Sequence, residues 1–236
     1  MFRSLVWKEW HEQRWRLWFG VFLVGMFTLI GLRTRIMPDE QIVILTIMIG
    51  GMGLPLMVAM GLVAPERAEG TIVRLMALPV PPWKVMAAKG LIGGLVCVAP
   101  ILVSASIALF IAGDRELSWG ELFGLYAMAM GVTLVMFSWL TAVAIRQPSE
   151  ARAALVGIAA VVAWSLLLAI AAMVRAEVMN ISDLEQWVGA CSPFGFIIIR
   201  ENDVPRLVVV GLQLLSLTLL WTWSARRIGK SGKVVA

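Results

Sequence analysis

The chain has 236 residues, of which 60% are hydrophobic and 15% are charged, and its mean hydropathy is +0.88. Such a composition excludes an ordinary water-soluble domain, whose surface needs many more polar side chains. The net charge of +5 at pH 7 does not indicate nucleic-acid binding, because no basic stripe interleaves with aromatic side chains in a soluble segment. The composition therefore predicts an integral membrane protein.

An interfacial helix is predicted at the start of the chain, over residues 1–16. Phe2 and Trp10 share one helical face, whereas Lys8 and Glu12 lie opposite. This pattern is typical of a helix that lies in the headgroup plane before the chain enters the bilayer. The alternative is a frayed cytoplasmic extension of the first span. No small-residue cleavage site follows the first apolar run, so we do not expect a cleaved signal peptide.

Six apolar segments are long enough to cross a hydrocarbon core about 30 Å thick, since a helix rises about 1.5 Å per residue. Their apolar runs are continuous rather than alternating, which favours helices over a barrel. The sequence predicts an all-α polytopic membrane protein with one transmembrane domain over residues 1–236. The predicted spans are 17–32, 42–64, 90–112, 122–145, 153–174 and 207–224.

Lys and Arg are distributed unequally between the two sides of the predicted membrane. One side, made of residues 1–16, 65–89, 146–152 and 225–236, holds 14 of them, and the other side holds 6. The positive-inside rule places the first side in the cytoplasm. Both termini are therefore predicted to be cytoplasmic.

The second predicted span contains Gly50, Gly51, Gly53 and Pro55 in close succession. Small residues allow helix backbones to approach closely, and proline removes one backbone hydrogen bond. We interpret this cluster as a close-packing or bending point. Ordinary tolerance of glycine and proline in membrane helices explains it equally well.

The longest predicted outer segment covers residues 175–206. Ser182 and Glu185 have the spacing of a capping box, and Ser192-Pro193-Phe194 precedes an apolar run too short to span. We expect short re-entrant helices that dip into the outer leaflet and return.

Few residues could carry chemistry. The six predicted spans contain no Asp, Glu, Lys, Arg or His, which argues against proton relays and membrane-embedded catalysis. Cys97 and Cys191 fall at different predicted depths, so no disulfide is expected between them. The many methionines suit gap-filling better than a copper path. No metal or cofactor site is predicted in this chain.

Nucleotide binding by this chain is not expected either. Arg227-Ile228-Gly229-Lys230-Ser231 has the end of a phosphate-binding loop, but Ser224 stands where that loop needs its first glycine. Any energy for vectorial work must then come from a partner.

A polar stretch over residues 65–84 separates the second and third spans. It opens with Pro65-Glu66-Arg67-Ala68-Glu69-Gly70-Thr71, continues through an apolar run to Leu78-Pro79, and ends at Trp83-Lys84. Proline restricts the residue before it, so Leu78 is the natural end of a short helix that starts at Ile72. A short helix at the membrane face is suited to receiving a conformational change from a partner protein and transmitting it to the spans.

These residues resemble the permease subunits of type-2 ABC transporters. The resemblance rests on Glu66-Arg67-Ala68-Glu69-Gly70-Thr71, on Leu78-Pro79 followed by Trp83-Lys84, and on their place between spans two and three. The predicted interfacial helix, six spans and outer Ser192-Pro193-Phe194 also match the family pattern.

The resemblance implies a subunit of an ATP-driven exporter in the inner (plasma) membrane, without enzymatic activity of its own. A second permease subunit and separate ATP-binding subunits, which hold ATP and Mg²⁺, are the implied partners. Residues 65–84 are then the coupling segment that meets the ATPase. The implied coupling residues are Glu66, Arg67, Glu69, Gly70, Thr71, Arg74 and Pro79.

Two alternatives stay open at this point. One is a haem-exporter-type permease of cytochrome maturation, which is similar in size and span number. The other is a membrane scaffold or enzyme without an ATPase. The outer acidic residues that an interfacial enzyme would use are Glu177, Asp183, Glu185, Glu201 and Asp203. The sequence does not identify a substrate.

Overall fold

The computed structural model describes residues 2–34, 39–70, 80–112, 119–177 and 206–231, and nearly all of these residues are helical. The predicted all-α fold is confirmed for this part of the chain. The helices, in chain order, are α1 (Phe2–Thr34), α2 (Asp39–Met48), α3 (Leu54–Ala68), α4 (Pro82–Ala112), α5 (Trp119–Ala144), α6 (Glu150–Glu177) and α7 (Arg206–Ser231). A five-residue π-helical turn, Ile49–Gly53, joins α2 to α3.

Six helical segments in the described residues are long and apolar enough to cross a membrane, as predicted. The second is formed by α2, the π turn and α3 together, and the other five are single helices. Most of these helices extend beyond the predicted apolar run, because polar residues near the headgroups continue the same helix. The start of α1, the end of α3, the start of α4 and the end of α7 lie at the same end of the bundle. We call this end of the bundle the α3–α4 end.

Helix α5 is the centre of the bundle. Fourteen of its 26 residues are buried, and it packs against α3, α4, α6 and α7. Its Ser138 accepts a hydrogen bond from the indole nitrogen of Trp221 on α7 at 3.0 Å. Few of the described side chains of α6 and α7 are buried, so these two helices form the edge of the bundle.

Helix α1 runs unbroken through residue 34, where the sequence predicts an interfacial helix over 1–16 and a separate span. Leu5, Glu9, Gln13 and Leu17 recur every four residues and are all buried. This stripe packs mainly on α4, and no proline interrupts it. The first half of α1 is therefore held by the same packing as its second half.

The glycine cluster of the second span coincides with the π turn. Gly50 and Gly51 are buried, and a Cβ on Gly51 would lie 3.3 Å from Thr133 Oγ1 on α5. A π turn interrupts the regular backbone hydrogen bonds of an α-helix by one extra residue. Glycine in this turn lets the neighbouring helix α5 approach the backbone closely. The interpretation as a close-packing point agrees with this geometry.

Four hydroxyl groups link four helices away from the α3–α4 end. Thr28 on α1 lies 2.8 Å from Ser104 on α4 and 3.4 Å from Thr46 on α2, measured between their hydroxyl oxygens. Ser104 Oγ lies 3.0 Å from the hydroxyl oxygen of Tyr126 on α5. All four residues are buried, so the network specifies how these helices align.

Ser104→Ala should lower the free energy of unfolding by about 0.6 kcal/mol and by at most about 1.7 kcal/mol, the range for interhelical hydrogen bonds in membranes. The reason is that Ser104 is the common partner of Thr28 and Tyr126. Unfolding in mixed micelles of mild detergent and SDS measures the change. The control is Ser106→Ala, because Ser106 is exposed and bonds to the carbonyl oxygen of Leu102 on its own helix. An equal loss in both variants would contradict the network's role.

Two predicted features fall outside the described residues. The short helix predicted from Ile72 to Leu78 lies within residues 71–79, and nearly all of the outer segment 175–206 lies within residues 178–205. Both stay predictions.

Candidate functional site

Buried charges lie at the α3–α4 end, where the predicted coupling segment leaves the bundle. Lys89 on α4 has no exposed side-chain surface, and its Nζ lies 2.8 Å from Glu9 Oε1 on α1 and 3.0 Å from Glu66 Oε2 on α3. Lys89 also donates a hydrogen bond to the carbonyl oxygen of Leu62, at 2.8 Å. One ammonium group thus joins three helices.

Lys8 completes this cluster from the more exposed side. Its ammonium forms an ion pair with Glu66 Oε1 and lies 3.8 Å from Glu9 Oε1 and 3.3 Å from Glu12 Oε1. The two buried carboxylates, Glu9 and Glu66, are therefore balanced by two ammonium groups. We call Lys8, Glu9, Glu66 and Lys89 the charge cluster.

Balance is essential here because an isolated buried charge is very costly, whereas a paired and hydrogen-bonded one is tolerated. Lys89 lies in the second turn of α4, just before the apolar run that begins at Gly90. Its long stem crosses apolar surface while its ammonium reaches the carboxylates. The cluster therefore fixes where α1, α3 and α4 meet.

The carboxylate oxygens of Glu9, Glu12 and Glu66 lie within 4.8 Å of one another, a spacing that a metal ion could use. Lys8 and Lys89 already place two ammonium groups among them. Since these cations neutralise the carboxylates, the arrangement is explained by ion pairing.

A second polar link joins α1 to α6. Nη2 of Arg16 lies 3.5 Å from Glu150 Oε1 at the start of α6, and its Nη1 donates a hydrogen bond to Gln13 Oε1 at 2.9 Å. A Cβ on Gly61 of α3 would overlap this guanidinium. The absence of a side chain at Gly61 therefore leaves the space that the Arg16 guanidinium occupies against α3.

The structure separates the two glutamates that the sequence groups together. Glu66 is buried in the charge cluster, whereas Glu69 is exposed. Gly70, which follows, has a φ of +70°, a backbone conformation that glycine adopts without steric cost. The chain therefore turns away from α3 directly after Glu69.

The other predicted coupling residues are not described in side-chain detail. Arg67 lies in α3, but its side chain is not described, and Thr71, Arg74 and Pro79 lie outside the described residues. Their role in coupling stays a prediction.

Sequence reasoning missed the partners of Glu66. Lys89 is counted there as one of the cytoplasmic cations, and Lys8 as part of the polar face of an interfacial helix, whereas Glu9 is given no role. One available signal is the four-residue spacing of Leu5, Glu9 and Gln13, which places Glu9 on a packed stripe. Nothing in the local sequence shows that its partner is 80 residues away.

Comparison with known families decides what kind of protein carries this site. The family described as "ABC-2 family transporter protein" matches residues 33–222, which is most of the chain. The chain belongs to the ABC-2 transporter family. It is thus a multi-pass membrane protein of a transport family whose membrane subunits are not themselves catalytic. A search of curated proteins found no significant match.

The ABC-2 match includes three of the features described above. Glu66 and Lys89 lie within it, as does the predicted coupling segment 65–84, whereas Lys8 and Glu9 precede it. The ion pair between Glu66 and Lys89 therefore belongs to the part of the chain that carries the family pattern.

Proposed function

We propose that this chain is the membrane-spanning permease subunit of an ATP-driven exporter. In this proposal it pairs with a second permease subunit, and a separate ATP-binding subunit that holds ATP and Mg²⁺ docks on segment 65–84. The ABC-2 family match supports the transport role, and the resemblance of segment 65–84 to family coupling loops supports the docking site.

The observation that carries the proposal is that the end of α3 and the start of α4, which flank segment 65–84, are joined by the buried ammonium group of Lys89. Glu66 lies at the end of α3 and Lys89 near the start of α4, with 3.0 Å between Glu66 Oε2 and Lys89 Nζ. Lys89 also contacts Glu9 on α1. A displacement of the segment would therefore move three helices together instead of bending one loop.

The unequal distribution of Lys and Arg supports a cytoplasmic position for this end of the bundle. An ATP-binding subunit works in the cytoplasm, so segment 65–84 must face that side to be reached. The proposal therefore places both termini and the charge cluster on the cytoplasmic face of the inner membrane.

The different burial of the two glutamates supports different roles for them. Glu66 anchors the root of the segment to Lys8 and Lys89. Glu69 is exposed one turn of chain later, beside the left-handed Gly70, so it is available to a partner. In this proposal Glu69 contacts the ATPase, and Glu66 passes the motion to the helices.

Glu69→Ala should lower the ATPase activity that co-purifies with the tagged full chain about tenfold, which corresponds to about 1.4 kcal/mol of binding free energy. The reason is the loss of a charged contact to the ATPase at an exposed position. The measurement is nucleotide hydrolysis per mole of chain, after extraction from membranes that contain the chain's own partners.

The matched control is Glu121→Ala, which removes an exposed carboxylate at the opposite end of the bundle and should leave the co-purified activity unchanged. Equal activity for wild type and Glu69→Ala would refute the docking site. Hydrolysis that depends on added haem would favour the haem-exporter alternative. A stable wild-type chain that captures no ATPase would favour the scaffold or enzyme.

A further inference from the structure

A cavity of about 730 Å³ opens between α6 and α7, with α5 as its floor, at the α3–α4 end of the bundle. Its size is typical of ligand pockets, which measure roughly 300–1,000 Å³. The walls are mainly apolar, with Ala142 and Val143 on α5, Val156 on α6, and Leu219 and Leu220 on α7. The cavity thus opens sideways, between two helices of membrane-spanning length.

Two arginines stand at the rim of this cavity. Arg146 follows the end of α5, and Arg226 lies near the end of α7; both are exposed and both line the cavity. Among the described residues, neither guanidinium has a carboxylate within the 4.0 Å of an ion pair. This is in contrast to Arg16, whose guanidinium is paired with Glu150.

Trp223, which lines the cavity, contacts two guanidinium groups with its indole ring. The guanidinium of Arg146 lies 4.7 Å from the centre of its ring, and that of Arg227 lies 5.5 Å from it. A guanidinium over an indole face is held by a cation–π interaction. Stacking holds the Arg146 guanidinium in place, and its N–H donors remain available for an anion.

The cavity therefore combines apolar walls with cationic donors at one end. An acidic phospholipid has the complementary structure, since its acyl chains are apolar and its phosphate accepts bidentate hydrogen bonds from arginine. Basic pockets between membrane helices at the level of the headgroups are suited to such lipids. A soluble anion would make no use of the apolar walls.

We infer that this cavity binds one acidic phospholipid of the surrounding leaflet, with its phosphate on Arg146 and Arg226 and an acyl chain between α6 and α7. This site goes beyond the proposed transport function, because it is separate from the charge cluster and requires no ATP-binding partner.

The test uses the full chain, reconstituted in vesicles of equal parts phosphatidylglycerol and phosphatidylcholine and then extracted in mild detergent. Native mass spectrometry measures which lipid stays bound. We expect one phosphatidylglycerol per chain, retained in preference to phosphatidylcholine. Arg146→Gln/Arg226→Gln should weaken this retention by about fivefold for each arginine and roughly 30-fold for both.

The charge-matched control is Arg14→Gln/Arg152→Gln, which removes two exposed arginines that do not line the cavity and should keep the lipid. A second pair of variants tests the apolar part without changing charge. Thr222→Trp fills the cavity and should expel the lipid, whereas Thr218→Trp, one turn earlier and outside the lining, should not.

Three outcomes would overturn the inference. The first is equal retention of the two lipids by the wild-type chain. The second is the same loss of phosphatidylglycerol in both double-arginine variants. The third is a lipid-free pair of chains that separates when Arg146 and Arg226 are replaced, which would make the cavity an interface between two copies.

Discussion

Lys89→Met should lower the free energy of unfolding by about 3–5 kcal/mol, the usual loss when one partner of a buried ion pair is removed. Methionine fills much of the same volume but removes the close ammonium partner of Glu9 and one of the ammonium groups that contact Glu66. The hydrogen bond to the Leu62 carbonyl is lost as well. Unfolding of the full chain in mixed detergent and SDS micelles measures the change.

Two controls separate the missing charge from the altered helix surface. Lys84→Met changes the same residue type on the same helix, next to Trp83, and should change stability little. Glu9→Gln/Glu66→Gln/Lys89→Met removes the three buried charges of the cluster and leaves the half-exposed Lys8. This variant should regain most of the loss, because neutral replacement of a buried charged group is often tolerated. A Lys89→Met protein as stable as Lys84→Met would contradict the account of the cluster.

Gly93→Ala should destabilise the bundle by about 1–3 kcal/mol, the typical cost of overpacking a core. A Cβ at Gly93 on α4 would overlap the Phe137 ring on α5 and lie 3.3 Å from Leu62 on α3. Phe137 is buried and also packs on Trp221, with 6.0 Å between ring centres, so its ring has little room to move. The same unfolding measurement in micelles tests this.

Gly94→Ala is the matched control for this substitution. A Cβ at Gly94 would lie 3.5 Å from Leu134, an ordinary van der Waals contact, so we expect a change near zero. Phe137→Leu should partly restore the stability of Gly93→Ala by vacating the space. If the two glycine variants were equally stable, the close approach of α4 and α5 would not be limited by Gly93.

The six membrane-spanning segments found in the described residues could be predicted from the sequence, because the bilayer requires about 20 apolar residues for each crossing. Continuous apolar runs such as 90–112 therefore identify helices without any knowledge of their neighbours. The exact extent of α1 could not be predicted in the same way. Its polar first half is held against the bundle because Leu5 packs with Val85 and Ala88 of α4 and Glu9 contacts Lys89. A hydropathy pattern does not contain these contacts.

The charge cluster could not be predicted for the same reason. Lys89 lies at the border of an apolar run, where a cytoplasmic lysine is ordinary, and Glu66 lies in a segment that resembles a docking loop. Only the packing of α1, α3 and α4 brings Glu9, Glu66 and Lys89 together. Sequence patterns identified segment 65–84, which is the proposed coupling segment. The structure adds the ion pairs that join the helices on either side of it.

The most direct test of the account is photo-crosslinking from position 69 in intact cells. A photo-reactive phenylalanine analogue is placed at Glu69, and a matched probe is placed at Trp119, which is exposed at the opposite end of the bundle. We expect an adduct with an ATP-binding protein from position 69 and none from position 119. Adducts from position 69 with lipid alone, or with proteins on the outer side of the membrane, would contradict the proposed docking of an ATP-binding subunit on segment 65–84.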